Sequence, residues 1–224
     1  MIECKNLTKI YNRGTPKEVV AIKEADITIA EGEFVLLMGP SGSGKSTLLS
    51  LIAALTRPTS GIVKVDGEIV SKLPEDFAAL YRREKIGFVF QKFHLIEDMS
   101  VFENVALPLV PQGLTLKEIE YRVQEAMERF FISHKASQRV SKLSGGEQQR
   151  VAIARSMVHN PAIILADEPT ANLDSALTKQ FIDILASLKE ERKTIIVATH
   201  DPRFLELKFV DRVLKVHEGY VCNA

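Results

Sequence analysis

The chain has 224 residues, of which 29 are lysine or arginine and 29 are aspartate or glutamate, so its formal net charge is zero. Hydrophobic residues make up 46% and charged residues 26%, which is typical of a soluble globular protein and excludes low-complexity disorder and collagen. A net charge of zero gives no support for binding nucleic acid or anionic lipid through overall positive charge, so we expect no nucleic-acid partner. The length suits one domain or two closely packed subdomains.

No segment of the sequence has the length and hydropathy of a membrane span. The longest nearly unbroken apolar stretch covers residues 48–55, whereas a spanning helix needs about 20 apolar residues. Residues 1–11 lack the apolar centre of a signal peptide. Cys4 and Cys222 lie at opposite ends of the sequence without metal-like spacing. We expect two free thiols in a reducing cytoplasm.

The N-terminal third is rich in strand signals. Asp66-Gly67 stands between β-branched residues and predicts a hairpin, because both central positions of such a turn need positive φ. Residues 33–38, EFVLLM, are typical of a buried strand. A glycine-rich turn follows, and we expect a helix from Lys45 to about Leu55.

The middle third changes to a helical pattern. Residues 115–131 carry apolar side chains at steps of three and four, which predicts one helix with a core-facing side. Thr115 and Glu118 have capping-box spacing, and charges four residues apart predict ion pairs on the outer face. Residues from about 92 to 140 are therefore interpreted as a helical insertion. The apolar positions are Leu116, Ile119, Val123, Met127 and Phe130, and the ion pairs are Glu118 with Arg122 and Glu125 with Arg129.

The last third alternates strands and helices. Residues 162–166 (AIILA) and 194–199 (TIIVAT) are short and apolar, which is typical of buried parallel strands. Alternation of strands with helices favours a mostly parallel sheet covered by helices. Ligands of such sheets bind at the carboxyl ends of the strands. Functional residues are therefore expected directly after residues 38, 166 and 199.

A phosphate-binding pattern follows the first of these strands. It fits G-x-x-x-x-G-K-[S/T], in which glycines let backbone N–H groups cradle phosphate oxygens at the start of a helix. Lys45 should reach the β- and γ-phosphates, and the Ser46 hydroxyl should hold Mg²⁺. The alternative, a structural glycine turn, is disfavoured by the strand before and the helix after. The predicted ATP-binding residues are Gly39, Pro40, Ser41, Gly42, Ser43, Gly44, Lys45, Ser46 and Thr47.

Charged residues follow the other two strands. Asp167 at the end of a buried strand suits the magnesium shell of a nucleoside triphosphatase. Glu168 would point differently and position or polarise the attacking water. His200 is placed to contact the γ-phosphate, although a lone histidine is more often structural. The alternative for the acidic pair is two solvated carboxylates at a strand end.

A second glycine-containing segment, LSGGEQQR, covers residues 143–150. Ser144 is predicted to be the N-cap of a helix, and Gly145-Gly146 exposes N–H groups at the helix start. The N–H groups at such a helix start can bind an anion without the help of a lysine side chain. Physical reasoning alone favours an ordinary capped helix here.

The segment LSGGEQQRVAIAR is similar to the signature motif of ATP-binding-cassette (ABC) ATPases. The phosphate-binding loop, ILADEP and the final histidine occur in the order of that family, and the resemblance covers the whole chain. It implies an α/β fold of the P-loop NTPase class. We expect a mostly parallel sheet core, an antiparallel β subdomain and an inserted helical subdomain.

The resemblance also implies roles for further residues. Gln91 matches the Q-loop glutamine, which contacts Mg²⁺ together with Ser46 and Asp167. Tyr11 matches the aromatic residue that stacks on adenine. The implied catalytic residues are Glu168, His200 and Gln91, the D-loop is Asn172, Leu173 and Asp174, and the signature residues that act on a second copy are Ser144, Gly145, Gly146, Glu147 and Gln148.

One branch of the family fits best. Residues 82–109 look like the branch of lipoprotein-releasing (LolD), macrolide-export (MacB) and cell-division (FtsE) ATPases, and the segment EPTANLDS favours it over amino-acid importers. Two features depart from that branch. Ala171 replaces the usual glycine, and residues 130–142 lack its common Gly-Leu and proline positions. A cell-division ATPase and an amino-acid importer ATPase stay open as alternatives.

The resemblance implies a single domain, residues 1–224. Residues 1–91 and 160–224 would form the nucleotide-binding core with its β subdomain, and about 92–159 the helical subdomain. Two copies would pair head to tail, sandwich ATP with Mg²⁺, and drive a transmembrane permease subunit from the cytoplasmic face of the inner membrane. Residues 93–96 are a candidate docking surface for that partner, with helical core as an equally weighted alternative.

Two other classes of protein fit the sequence less well. Soluble ABC proteins of translation or DNA repair usually carry two cassettes or a long coiled coil, for which 224 residues without heptads give no room. A small-molecule kinase would leave LSGGEQQR unexplained.

Overall fold

The computed structural model of the protein describes residues 1–171 and 173–223. Strands and α-helices are numbered in chain order, and short 3-10 turns connect several of them. The strands are β1 (Ile2–Tyr11), β2 (Val19–Ile29), β3 (Phe34–Met38), β4 (Ser60–Val65), β5 (Glu68–Ile69), β6 (Ile86–Val89), β7 (Ile163–Asp167), β8 (Thr194–Thr199), β9 (Arg212–His217) and β10 (Tyr220–Asn223). The α-helices are α1 (Lys45–Ile52), α2 (Glu75–Lys85), α3 (Val101–Ala106), α4 (Leu116–Arg129), α5 (Gly145–Met157) and α6 (Ser175–Glu190).

A six-stranded sheet in the order β10-β9-β3-β8-β7-β6 forms the centre of the molecule. Its strands pair in parallel except for β9 with β10. The strands β3, β7 and β8 are apolar along nearly their whole length, because helices or the second sheet cover both of their faces.

The alternation of side chains along the central strands divides the core in two. Phe34 and Leu36 of β3 belong to one apolar cluster, which α3, α4, α5 and α6 complete. Val35 and Leu37 point to the opposite side, where α1 and the second sheet cover them. This is the period of two expected for a strand buried on both faces.

The second sheet is antiparallel, in the order β2-β1-β4-β5. Its β4–β5 hairpin turns at Asp66-Gly67, where φ is 51° and 86°. The hairpin expected from the sequence is therefore confirmed. Its second strand is short, because the chain enters a 3-10 turn at Val70.

Helices α3, α4 and α5 form a layer on one side of the central sheet. The capping box of α4 at Thr115 and Glu118 is confirmed. Two expectations for this helix are wrong. Leu116 is 78% exposed, because it lies in the first turn beyond the packed stripe. The expected ion pairs also fail to form: Glu118 bonds to Thr115, and Arg129 pairs with Glu191 at 2.7 Å.

The arrangement confirms the expected α/β fold, with its mostly parallel core sheet, antiparallel sheet and helical layer. Some boundaries differ from the expectation. Helix α1 ends at Ile52 rather than near Leu55. Strand β6 ends at Val89, so Gln91 lies two residues beyond the strand.

The described residues contain no helix that combines the length and apolar character needed to cross a membrane. Both cysteines are free thiols. Cys4 is buried in the core, and burial raises the pKa of its thiol to about 12. Cys222 is exposed.

Candidate active site

Three neighbouring strands of the central sheet bring the chemistry together. Strand β8 lies between β3 and β7, with Met38 opposite Thr199 and Asp167 opposite Ala198. The loop 39–44, the Asp167-Glu168 pair and His200 therefore leave the sheet at one edge. We call this edge, comprising residues 39–47, Asp167, Glu168 and His200, the nucleotide edge.

The loop 39–44 packs so tightly that glycine is required at two positions. A Cβ atom on Gly39 would lie 2.0 Å from the carbonyl oxygen of Val216. One on Gly44 would lie 2.3 Å from that of Ala21, and its φ of 115° is open only to glycine. The loop is thus fixed against β9 and β2 before it enters α1.

Lys45, the first residue of α1, is only 5% exposed. Its ammonium donates to the carbonyl oxygens of Gly39 and Pro40 at 2.7 and 3.0 Å, and lies 3.9 Å from Oε1 of Glu168. A buried ammonium is stable only when it is paired or hydrogen-bonded. The loop carbonyls and Glu168 therefore hold a positive charge at the centre of the edge.

Asp167 ends β7 and is 8% exposed. Burial raises the pKa of its carboxyl, whereas a hydrogen bond with the Ser46 side chain and the charge of Lys45 act in the opposite direction. Its Oδ1 atom is buried without a hydrogen-bond partner among the described residues. Mg²⁺ prefers oxygen ligands of this kind. Asp167 and the exposed hydroxyl of Ser46 therefore fit a magnesium ion.

Glu168 turns away from the strand with a positive φ of 45°, and its backbone N–H donates to Ala198 at 2.8 Å. Its Oε1 atom lies 2.9 Å from Nδ1 of His200, whose side chain is 68% exposed. Its Oε2 atom accepts from the Thr199 hydroxyl at 3.3 Å. The backbone N–H of His200 also donates to Oε2, at 3.4 Å. The carboxylate therefore lies beside Lys45, with both of its oxygens held by hydrogen bonds.

Residues 144–148 lie at the start of α5, which we call the signature start. Ser144 is the N-cap, as expected, and forms a capping box with Glu147. This contact lowers the pKa of the Glu147 carboxyl. The N–H groups of Gly145 and Gly146 lie in the first helical turn, which has no intrahelical acceptor for them. The signature start can thus bind an anion.

The two glycines of the signature start have different surroundings. A Cβ atom on Gly145 would meet no atom within 4 Å, so this position is open. One on Gly146 would lie 2.9 Å from Cδ1 of Leu177. Gly146 therefore packs against α6, whose N-cap Asp174 accepts from the N–H of Leu177 at 2.9 Å.

A family model described as ABC transporter matches residues 22–171 of the chain. This span includes the phosphate-binding loop, the signature start and the Asp167-Glu168 pair. The chain belongs to the ABC transporter family. It is accordingly an ATP-binding protein and an ATPase.

Curated relatives of this ABC ATPase match along nearly its whole length. The uncharacterized ABC transporter ATP-binding protein YvcR of Bacillus subtilis is 42% identical over 222 residues, which are 98% of this chain and 85% of YvcR. The lipoprotein-releasing system ATP-binding protein LolD of Legionella pneumophila is 39% identical over 220 residues, 98% of this chain and 96% of LolD.

A solved structure shares the fold. The ATP-binding cassette MJ0796 of Methanocaldococcus jannaschii, in a dimeric post-hydrolysis state bound to ADP and Pi, superposes with a TM-score of 0.93 at 42% identity. The match covers 99% of this chain and 96% of that one.

The remaining candidate residues of the ABC ATPase belong to other segments of the chain. Gln91 is exposed and lines a cleft with Gly145 and Gln148. Tyr11, at the end of β1, is 38% exposed, and the ammonium of Lys9 lies 4.9 Å from its ring centroid. Leu173 and Asp174 precede α6, and Asn172 lies outside the described residues.

The nucleotide edge and the signature start are separate in the chain. No hydrogen bond or ion pair within residues 1–171 and 173–223 joins residues 39–47 to residues 144–148. Gln148 instead donates to the carbonyl oxygens of Val140 and Leu143, within the helical layer.

Sequence reasoning missed two residues of this region. Thr199 contacts Glu168, although the strand TIIVAT was interpreted only as buried core. Arg155, on α5, donates to the carbonyl oxygens of Phe93 and His94 at 2.7 Å each. A polar residue at the end of a buried strand was the available signal for Thr199, whereas nothing in the spacing indicated Arg155.

Proposed function

We propose that the protein is the ATP-hydrolysing motor subunit of a membrane transport complex and works as a head-to-tail dimer on a separate transmembrane permease subunit. The proposal rests on one observation: one edge of the sheet brings together Lys45, Asp167, Glu168 and His200. A cation that can bind phosphate thus lies beside a carboxylate that can act as a base.

The nucleotide edge supplies most of what phosphoryl transfer needs. The backbone N–H groups of residues 39–47 other than Pro40 and the ammonium of Lys45 bind the phosphates, and Tyr11 stacks on adenine. Ser46, Asp167 and Gln91 hold Mg²⁺, which neutralises charge on the phosphates when bound. These donors preorganise the charge distribution that the transition state requires.

Glu168 acts as the general base, and His200 and Gln91 assist it. The carboxylate accepts a proton from water as the water oxygen bonds to the γ-phosphorus and the bond to the ADP oxygen breaks. Lys45, 3.9 Å from Oε1 of Glu168, places a positive charge beside the carboxylate. His200 donates from Nδ1 to Glu168, which leaves Nε2 to contact the γ-phosphate.

The signature start completes the site of a second copy. Ser144, Gly145, Gly146, Glu147 and Gln148 bind the γ-phosphate of the ATP held by that copy, with the D-loop residues Asn172, Leu173 and Asp174 at the seam. The exposed Gly145 and the helix start support this role, because an anion can approach them without rearrangement. The dimeric state of MJ0796 is in accord with it.

Residues 93–96 are the proposed docking surface for the permease subunit. Leu95 packs against the core, whereas Ile96 is 44% exposed, so the segment belongs to both the core and the surface. A groove beside it is lined by Leu80, Phe88, Phe90 and other apolar groups, with a volume of about 730 Å³.

The docking surface is held rigidly. Arg155 binds the carbonyl oxygens of Phe93 and His94, and the buried amide of Asn104 bonds to both the N–H and the carbonyl of Ile96. Because Arg155 belongs to α5, a force on the docking surface is passed to the helix that begins at the signature start.

The transport system is proposed to be of the lipoprotein-release and macrolide-export type, at the cytoplasmic face of the inner membrane. The 39% identity with LolD of Legionella pneumophila supports this branch. A cell-division ATPase is the second candidate within the same branch. An amino-acid importer ATPase is the alternative outside that branch. Co-purification of the permease subunit tests the branch, because about four spans with a large extracytoplasmic domain would favour the release and export type, whereas five or six spans with small loops would favour import.

The motor function is tested with Glu168→Gln. The amide keeps the shape of the side chain but cannot accept a proton, so we expect turnover to fall by about 100-fold or more while ATP still binds. The variant should accumulate as an ATP-bound dimer in light scattering. Glu191→Gln, which breaks the surface pair with Arg129, is the matched control and should behave as wild type. Wild-type turnover by Glu168→Gln would contradict the proposal.

A further inference from the structure

Thr199 is a polar residue in a fully buried position. It ends β8, whose residues are all buried, and its own exposure is 0%. A hydroxyl group in such a place is normally hydrogen-bonded, because an unpaired buried hydroxyl costs free energy. The partners of this hydroxyl therefore indicate what the residue does.

The two hydrogen bonds of the Thr199 hydroxyl fix its direction. The backbone N–H of Asp201 donates to Oγ1 at 3.0 Å, so the oxygen is an acceptor there. The single hydroxyl hydrogen is then left for Oε2 of Glu168, 3.3 Å away. Threonine thus donates to the carboxylate and to no other group described by the structure.

We propose that Thr199 is a positioning residue that holds the Glu168 carboxylate in its orientation for ATP hydrolysis. The inference deepens the proposed function and rests on Glu168 as the base. Thr199 acts through Glu168 rather than on the nucleotide. It sets which lone pairs of the carboxylate remain available to the attacking water.

The side-chain contacts that His200 and Thr199 make with the Glu168 carboxylate differ in rigidity. The imidazole of His200 contacts Oε1, but its side chain is 68% exposed and can turn into solvent. Thr199 contacts Oε2 from a buried, β-branched side chain with few accessible rotamers. Thr199, together with the backbone N–H of His200 at 3.4 Å from Oε2, is therefore the fixed support of the carboxylate when the imidazole of His200 moves.

The surrounding backbone supports the same orientation. Glu168 has a φ of 45°, an unusual value for a residue other than glycine, and its N–H bonds to Ala198 beside Thr199. Asp201, which donates to Thr199, is itself held by Thr170 at 3.4 Å and by Arg203. The loops after β7 and β8 are thus joined around the carboxylate.

The test compares Thr199→Val and Thr199→Ser in the full chain. Valine keeps the shape and removes the hydroxyl, so we expect kcat for ATP hydrolysis to fall by about tenfold or more, since a small misplacement of a catalytic group is costly. The KM for ATP should stay within about twofold, because Thr199 does not touch the nucleotide. Serine restores the hydroxyl and should recover most of kcat.

Thr194→Val is the matched control. Thr194 lies at the opposite end of the same strand, is also buried, and accepts from the N–H of Gly32 at 3.0 Å. The Thr194→Val variant should lose thermal stability as Thr199→Val does, but its kcat should equal that of the wild type. If Thr199→Val does not fold, Thr199→Ala takes its place, since it removes the hydroxyl without adding apolar volume.

Two outcomes overturn the inference. One is wild-type kcat in Thr199→Val or its alanine substitute, and the other is a Thr199→Ser variant as slow as the valine variant. The effect should also vanish in a Glu168→Gln background. Failure of this inference can be told apart from failure of the proposed function. If the proposed function were wrong, the Glu168→Gln variant alone would retain turnover.

Discussion

The nucleotide edge and the signature start both begin a helix with glycines, yet they are built differently. At the nucleotide edge, Lys45 and Asp167 are buried, and Asp167 has an oxygen without a hydrogen-bond partner in the described part of the chain. At the signature start, Ser144 and Glu147 satisfy each other, and Gly145 faces open space.

This difference supports the partners proposed for each region. The nucleotide edge contains buried charges and a buried oxygen without a hydrogen-bond partner, which a phosphate and a cation would satisfy. The signature start is a capped helix whose glycine N–H groups have no intrahelical acceptor. The proposal therefore assigns the first region to the nucleotide of its own chain and the second to that of another copy.

The largest effect is expected when a carboxylate is placed on the signature start. In Gly145→Asp the added side chain meets no atom in the monomer, so the fold should be unchanged, but the charge repels phosphate. We expect ATP-induced dimerisation to be abolished in light scattering, with nucleotide binding by the single chain largely intact. Gly145→Ala is the uncharged control. Equal dimerisation by Gly145→Asp and wild type would refute a shared site.

A smaller effect is expected from the link between the signature helix and the docking surface. Arg155→Met keeps the apolar stem but loses both hydrogen bonds to residues 93 and 94. Hydrogen bonds to a charged group contribute about 1.5–3 kcal/mol each, so local opening should rise by about tenfold or more. Hydrogen exchange of residues 93–97 measures this. Lys142→Met, at an exposed position, is the control, and unchanged exchange in Arg155→Met would contradict the link.

The smallest effect is expected from removing the N-cap of α5. Ser144→Ala and Thr115→Ala each remove the serine or threonine of a capping box, at α5 and α4, and should each cost about 1 kcal/mol of unfolding free energy. For a chain of this size that lowers Tm by roughly 2–4 °C, measured by calorimetry. Only Ser144→Ala should also weaken ATP-induced dimerisation. Equal dimerisation in the two variants would assign Ser144 to stability alone.

Sequence patterns predicted the structure correctly where it depends only on residues close in the sequence. The strand TIIVAT occupies Thr194–Thr199, as expected, and the Asp66-Gly67 turn has positive φ at both residues. Capping at Thr115 and Ser144 also followed from spacing. Each of these features depends on neighbours within a few residues, so the sequence contains the needed information.

One prediction failed because a distant segment competed: Arg129 pairs with Glu191, the residue after α6, instead of Glu125 on its own helix. Another failed at the helix start, where Leu116 lies outside the packed stripe although its spacing fits. The contact of Arg155 with Phe93 and His94 joins residues about 60 positions apart. Surface ion pairs are weak, so small differences in geometry decide which partner is chosen.

The sequence by itself determined that this chain is an α/β ATPase of the ABC family, because its phosphate-binding loop, signature segment and ILADEP resemble the motifs of that family and occur in the same order. Only the tertiary structure decided how the edge is supported: that Lys45 lies 3.9 Å from Glu168, and that Thr199 bonds to the same carboxylate. The reason is physical. Strand order places residues 31 positions apart at one edge, and burial then leaves each polar atom few partners.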